Sequence, residues 1–340
     1  MKKALFIGGT GTISTAITAL APKCGFELYL LNRGNRSSQV PDGVKIIEAD
    51  INNEEDVKEK LKDMSFDVVA QFIAFHPDAL KRDVRIFTGK TKQYMFISSA
   101  SAYQKPLSSP YITESTPLFN PFWEYSRNKI ACEEYLMEEY RTNNFPITII
   151  RPSHTYGDFD VPMAIHGNNG SYSIIDRIKN GKKVIVHGDG NSLWTLTHNS
   201  DFAKAFVGLM GNYHAIGEAV QITSDESLTW NQIYEIIGDA LGVKPKIVHI
   251  SSDTLAKTHE DYIGGVLGDK AHTVIFDNSK VKRLVPGFTA TVRFDQGVRQ
   301  TLAYIGSHPE LQRPDPEFDD WTDKMIAAYE AFENNLPTFK

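Results

Sequence analysis

The stretch ALFIGGTGTIS, residues 4–14, decides the fold. Ala4 to Ile7 are all apolar, where a strand with one wet face would alternate, so the run reads as a strand buried on both faces of a parallel sheet. It passes directly into Gly8-Gly9-Thr10-Gly11-Thr12-Ile13-Ser14 and then into a helical pattern. Glycine is required there because the turn is tight and the backbone must approach a pyrophosphate, whose charge is met by the amides and dipole of the helix N-terminus. Gly8, Thr10, Gly11, Thr12 and Ile13 are therefore candidate cofactor-binding residues. Ser14 stands where the pattern has its third glycine, and its small side chain still permits close helix packing.

Outward from this loop the same rhythm repeats. Strand-like runs fall at 4–7, 27–31, 44–47, 67–72, 94–98, 147–150 and 220–223. Helical patterns lie between them: Val57, Leu61 and Met64 on one stripe, the segment 124–142, and Phe202 to Met210. Strand followed by helix, repeated, predicts right-handed βαβ units and a Rossmann-type doubly wound α/β fold. After about residue 225 the rhythm changes. Trp230, Ile233, Ile237 and Leu241 make one helical stripe and 245–251 a strand, with no glycine turn between them. The stretch 308–320, with three prolines, reads as an extended connector, and Trp321, Met325, Ala328 and Phe332 as the apolar face of a terminal helix docked on the core. Residues 1–175 with 191–227 are expected to bind the cofactor, and 176–190 with 228–340 to form a smaller α/β substrate lobe.

Composition narrows the function classes. At about 150 residues per domain, 340 residues imply two lobes or one large α/β unit. Lys and Arg number 36 and Asp and Glu 42, a net charge of −6 that argues against a polyanionic partner. Cys24 and Cys132 stand far apart, which indicates neither a disulfide framework nor a thiolate zinc site and suits a reducing compartment. No two histidines have the i, i+4 spacing of a metal pair, so no metal is expected. The apolar run at the N-terminus is too short for a signal peptide or a membrane span, which predicts a cytoplasmic, soluble protein.

The nucleotide is chosen just after the second strand, where an acid would accept the ribose 2′-hydroxyl of NAD and arginine would favour the 2′-phosphate of NADP. The chain reads LLNRGNRSS from residue 30, with Asn32, Arg33 and Arg36 and no acid, which favours NADP over NAD. Asp50, with Ile51 beside it after the third strand, suits a contact with the adenine.

Tyr125-Ser126-Arg127-Asn128-Lys129 places a phenol and an ammonium four residues apart, on one side of a helix. The cation favours the phenolate and draws the tyrosine from its ordinary pKa of about 10 towards a working acid or base at neutral pH. FISSASAY (96–103) ends a strand upstream of this pair, and Arg151-Pro152 ends one downstream. With these motifs, Glu133, Tyr156-Gly157, Gly188-Asp189-Gly190, His198 and Asp201-Phe202-Ala203, the chain resembles the extended short-chain dehydrogenase/reductase superfamily, in its NAD(P)-dependent epimerase/dehydratase branch. The resemblance implies Tyr125 as catalytic acid/base and Lys129 on the nicotinamide ribose. It further implies Ser99, four before Tyr103, as hydrogen-bond partner of the reacting oxygen, and a homodimer through the Tyr-bearing helices.

The chain departs from the family's pattern in three places. Ala100-Ser101 occupy the positions where nucleotide-sugar dehydratases carry an Asp-Glu acid/base pair, which disfavours a 4,6-dehydratase. Trp194 stands where an arginine clamps the substrate diphosphate in many nucleotide-sugar enzymes, and indole cannot make that bidentate contact. Asp83 stands where the family often has asparagine. Ser101, His166 and Trp194 are candidate substrate contacts. The expected function is an NAD(P)-dependent oxidoreductase or epimerase acting on a hydroxyl or carbonyl of a sugar-like or small polar substrate. The alternative is a non-catalytic nucleotide sensor or RNA-binding member of the superfamily, against which stand the acidic charge and the intact Ser-Tyr-Lys set.

Overall fold

The computed structural model describes residues 1–34 and 40–339. Arg36 lies outside the described residues. The strands β1 (Lys2–Ile7), β2 (Phe26–Asn32), β3 (Lys45–Glu48), β4 (Val68–Gln71), β5 (Tyr94–Ile97), β6 (Ile147–Pro152) and β7 (Ala219–Ile222) form one sheet. Its order is β7-β6-β5-β4-β1-β2-β3, and every neighbouring pair is parallel. This is the Rossmann-type doubly wound sheet that the apolar runs predict.

Why the runs do not alternate is visible in the packing. Ala4, Phe6, Leu28, Leu30, Val68, Ala70 and Met95 face one core, shared with Ile17 of α1 (Thr12–Leu20) and with Phe202, Phe206 and Leu209 of a helix at Asn199–Leu209. Leu5, Ile7, Leu31, Val69 and Phe96 face the other, shared with α2 (Glu54–Lys60), α3 (Pro77–Phe87) and α4 (Glu124–Asn143). Both faces being covered, most positions of these strands are apolar, and polar side chains buried among them, such as Gln71, are hydrogen-bonded. α2 ends sooner than the stripe Val57, Leu61, Met64 suggests. Leu61 and Met64 continue in turns beyond Lys60, with Leu61 still fully buried.

By contact density the chain divides into 1–155, 197–225 and 276–292 on one side and 156–196, 226–275 and 293–340 on the other. These boundaries lie elsewhere than the sequence reading put them. Residues 156–175 and 191–196 fall in the second unit. Residues 276–292 return to the first, where Val281 and Phe288 complete the core under β7.

The second unit holds helices Tyr172–Lys179, Trp230–Leu241, Phe294–Ser307 and Pro316–Asn334 and a parallel strand pair, Lys183–His187 with Lys246–Ile250. The connector at 308–320 is not extended throughout. Asp315 caps the last helix by accepting from the Phe318 amide at 3.1 Å, and Pro316 opens it, where the missing N–H costs nothing. The buried stripe of this helix runs through Phe318, Thr322 and Ile326, leaving Phe332 exposed. The buried Arg177 guanidinium bonds Asp319 and Asp323 of the same helix and fixes its docking. Among the described residues no helix is long and apolar enough to cross a membrane.

Candidate active site

The sheet order reverses around β1, between β2 and β4, and a cleft of about 680 Å³ opens there at the C-terminal strand ends. It is lined by Gly8 to Ser14, Leu31 to Arg33, Ala49 to Asn52, Phe72, Ile73 and Ile97. All the described residues that the sequence marks for the cofactor, other than the catalytic pair, line it together: Gly8, Thr10, Gly11, Thr12, Ile13, Asn32, Arg33, Asp50 and Ile51.

The loop's conformation admits glycine alone at its turn. Gly9 has φ +102°, and a Cβ there would stand 2.7 Å from Leu30 Cδ2. Three side chains hold the loop. The Ser14 hydroxyl accepts from the Gly11 amide at 2.9 Å, Thr18 donates to Gly9 O at 2.8 Å, and Asn199 donates to Thr12 O at 3.0 Å. Ser14 thus fastens the turn in addition to fitting it. With no acid in the first turn of α1, nothing opposes an anion at its N-terminus. This cradle fits a dinucleotide pyrophosphate.

On the adenine side, Asp50 accepts from the Asn52 amide at 2.9 Å through one oxygen. Asn52 in turn accepts from Arg82 Nη1 at 2.6 Å. Arg82 is held by Asp83, a fully buried carboxylate that also accepts from Gln71 at 2.5 Å and from the Tyr94 hydroxyl at 2.6 Å. Burial pushes the Asp83 carboxyl up, against the pull of Arg82 and the two neutral donors. The departure at position 83 therefore supplies the acceptor for Arg82, which an asparagine could match only in part. Gln71 completes the chain by accepting from the Ile73 amide at 2.8 Å. Sequence reasoning missed Gln71, Arg82 and Asn52, whose roles follow only from α3 crossing beside the end of β4.

Tyr125 and Lys129 lie in the first turns of α4. Lys129 is 2% exposed, and its ammonium donates to Ala74 O and Ile97 O, each at 2.8 Å. Three rings surround it, Phe75, Phe96 and Tyr125, with centroids at 4.7, 4.8 and 5.7 Å. Burial draws its pKa down to about 8. Glu133, two turns further along α4, takes Arg151 through both oxygens at 3.0 and 2.6 Å and also accepts from Ser98, pinning the ends of β5 and β6 to α4.

Ser99 opens a short turn over Ala100–Ala102 and accepts from the Ser101 amide at 3.2 Å. Ser101 is buried, its hydroxyl between those of Ser99 at 2.9 Å and Ser126 at 2.8 Å. Asn120, unremarked in the sequence, donates to Ser101 O at 2.9 Å and accepts from the Phe122 and Trp123 amides at the head of α4. The serine turn and the tyrosine helix are therefore tied to each other.

His166 and Trp194 belong to the second unit. His166 is exposed, its Nδ1 2.9 Å from Gly167 O. Trp194 is buried against Trp230, ring centroids 5.8 Å apart, and its indole N–H has no partner among the described residues.

The profile of the NAD dependent epimerase/dehydratase family matches residues 4–223, which include the glycine loop, Ser99, Tyr125 and Lys129. The chain belongs to that family. Among curated relatives, the 2'-dehydrokanamycin reductase of Streptomyces kanamyceticus is 22% identical over 290 residues, 84% of this chain and 80% of that one. The chloroplast stem-loop binding protein of 41 kDa b of Arabidopsis thaliana is 26% identical over 262 residues, 73% of this chain and 66% of that one. Among solved structures, an epimerase of Methanothermobacter thermautotrophicus superposes with a TM-score of 0.75 at 18% identity, covering 92% of this chain and 94% of that one. The dTDP-glucose 4,6-dehydratase of Bacillus anthracis, solved in complex with NAD, superposes at 0.72 and 18% identity, covering 91% and 98%. Both likenesses extend the shared fold beyond the residues matched by the family profile.

Proposed function

We propose that this family member is an NAD(P)-dependent oxidoreductase or epimerase that acts on a hydroxyl or carbonyl of a sugar-like or small polar substrate. Tyr125 is the acid/base, Lys129 its electrostatic partner and Ser99 the hydrogen-bond partner of the reacting oxygen. The observation that carries this reading is the buried Lys129 ammonium, fixed by two strand-end carbonyls with the Tyr125 ring beside it. Bound in the cleft, the dinucleotide supplies the hydride acceptor or donor. The chain's own residues do the rest: Tyr125 moves the proton of the substrate hydroxyl, Lys129 keeps the phenolate accessible, and the glycine loop seats the pyrophosphate.

Asn32 and Arg33 at the end of β2, with no acid in residues 30–36, support NADP over NAD, while the Glu48 carboxylate of β3 stands beside Gly34. The first unit would bind the cofactor and the second the substrate, with His166 and Trp194 as substrate-side residues and two copies of the chain forming a cytoplasmic homodimer; Ser101, buried with its hydroxyl between those of Ser99 and Ser126, stands behind Ser99 instead of on the substrate. Trp194 in place of a diphosphate-clamping arginine, together with the similarity to 2'-dehydrokanamycin reductase, favours a glycoside ketone or alcohol over a nucleotide sugar. Thermal shift with NADPH and NADH, followed by 340 nm assays over glycoside ketones and UDP-sugars, tests the reading. No shift with either dinucleotide would sink it.

A second reading, an RNA-binding member of the superfamily, is favoured by the similarity to the chloroplast stem-loop binding protein. Filter binding with structured RNA at low salt separates the two: submicromolar, salt-sensitive retention supports the RNA reading.

A further inference from the structure

We propose that Ser101 and Ser126 are positioning residues that force Ser99 to act as a hydrogen-bond donor, so that the site holds its substrate oxygen in the carbonyl or alkoxide state. The inference rests on the assignment of Ser99 to the active site made above. It follows from counting hydroxyl valences, since a serine hydroxyl has one proton to give and room for two to accept.

The count starts at Ser126. It is fully buried in the first turn of α4, and the one hydrogen bond of its side chain among the described residues runs to Ser101 Oγ at 2.8 Å. A buried hydroxyl must place its proton on an acceptor, so Ser126 donates and Ser101 accepts. The Ser101 proton then has one oxygen left to meet, Ser99 Oγ at 2.9 Å. Ser99 also accepts from the Ser101 amide at 3.2 Å. Both of its acceptor positions are thus filled from behind, and its own proton turns outward on the partly exposed side. Each link polarises the next, which strengthens the final donor.

The consequence is a preference. A hydroxyl able only to donate binds a ketone oxygen or a developing alkoxide, and in the alcohol state it leaves the substrate proton to Tyr125. The backbone keeps the relay aligned: Asn120 holds the Ser101 carbonyl to the head of α4, so Ser99 and Ser126 cannot drift apart.

Neutron diffraction from deuterium-exchanged crystals of the full chain reads the relay without turnover. The expected result is deuterons directed from Ser126 to Ser101 and from Ser101 to Ser99, with the Ser99 deuteron outside the chain. A deuteron lying from Ser99 towards Ser101 overturns the proposal, whether or not the protein proves to be an oxidoreductase. In kinetics with the ketone reduced fastest in the 340 nm panel, Ser101→Ala lowers kcat about tenfold with dinucleotide Kd unchanged, lowers Tm as the buried Ser126 hydroxyl loses its acceptor, and Ser101→Thr restores both. An unchanged kcat in Ser101→Ala equally overturns the relay. A wild-type protein that neither binds dinucleotide nor reduces any ketone overturns the oxidoreductase reading instead, and the deuteron positions still decide this one.

Discussion

Lys129 gives a sharp quantitative test, because the burial that fits it for the proposed role also taxes the fold. Its ammonium is 2% exposed, and burial lowers its pKa from an ordinary 10.5 to about 8. At about 1.36 kcal/mol for each factor of ten, that gap corresponds to about 3 kcal/mol of lost stability at neutral pH. Between about pH 8 and 10.5 the unfolded chain binds the proton that the folded protein has released, so stability rises with pH across this window and the cost is complete only below it. Replacing Lys129 with Met removes the charge but leaves Ala74 O and Ile97 O without their donor, at about 1–3 kcal/mol each. The two effects roughly cancel at pH 7. From pH 7 to pH 10 the wild type should gain about 2–3 kcal/mol relative to Lys129→Met, other titrations being common to both. Urea unfolding of the two proteins at several pH values measures the difference directly. Parallel stability curves, with no relative gain for the wild type, would show that Lys129 keeps an ordinary pKa and would refute the burial cost assigned to it.

Other expectations come from the same geometry. Tyr125→Phe should lose at least a hundredfold in kcat while keeping dinucleotide affinity within a factor of two or so by titration, since only the proton-carrying hydroxyl is removed. Gly9→Ala should destabilise by about 2–4 kcal/mol in urea and weaken dinucleotide binding, because φ +102° and the 2.7 Å approach to Leu30 both penalise a Cβ. Glu133→Gln should lose about 3–5 kcal/mol by chemical denaturation, as the buried Arg151 guanidinium is left without its counter-charge. Asp83→Ala should weaken dinucleotide binding several-fold by calorimetry, through release of Arg82 and hence of Asn52 at the cleft. Unchanged affinity would disconnect that network from the site.

Much of the site was legible in the order of residues, for a physical reason. A glycine turn between strand and helix, a tyrosine four before a lysine, and a serine at a strand end are local patterns, each fixed by the conformation of a few neighbouring residues. The seven apolar runs were equally plain, because strands covered on both faces cannot hide polar residues at alternate positions. Where the reading slipped, context decided. The last helix gains a turn because Asp315 is available to cap it, and the face that packs inward carries Phe318, Thr322 and Ile326.

The sequence by itself determined the doubly wound fold, the pyrophosphate loop and the pairing of phenol with ammonium, since each depends on spacing along the chain. Only the tertiary structure decided what surrounds them. That Lys129 is held by the carbonyls of Ala74 and Ile97, that Asp83 reaches the cleft through Arg82 and Asn52, and that Ser101 stands between Ser99 and Ser126 all join residues from separate elements. Hydrogen bonds and burial act over a few ångströms, and those distances exist only once the sheet has brought its strand ends together.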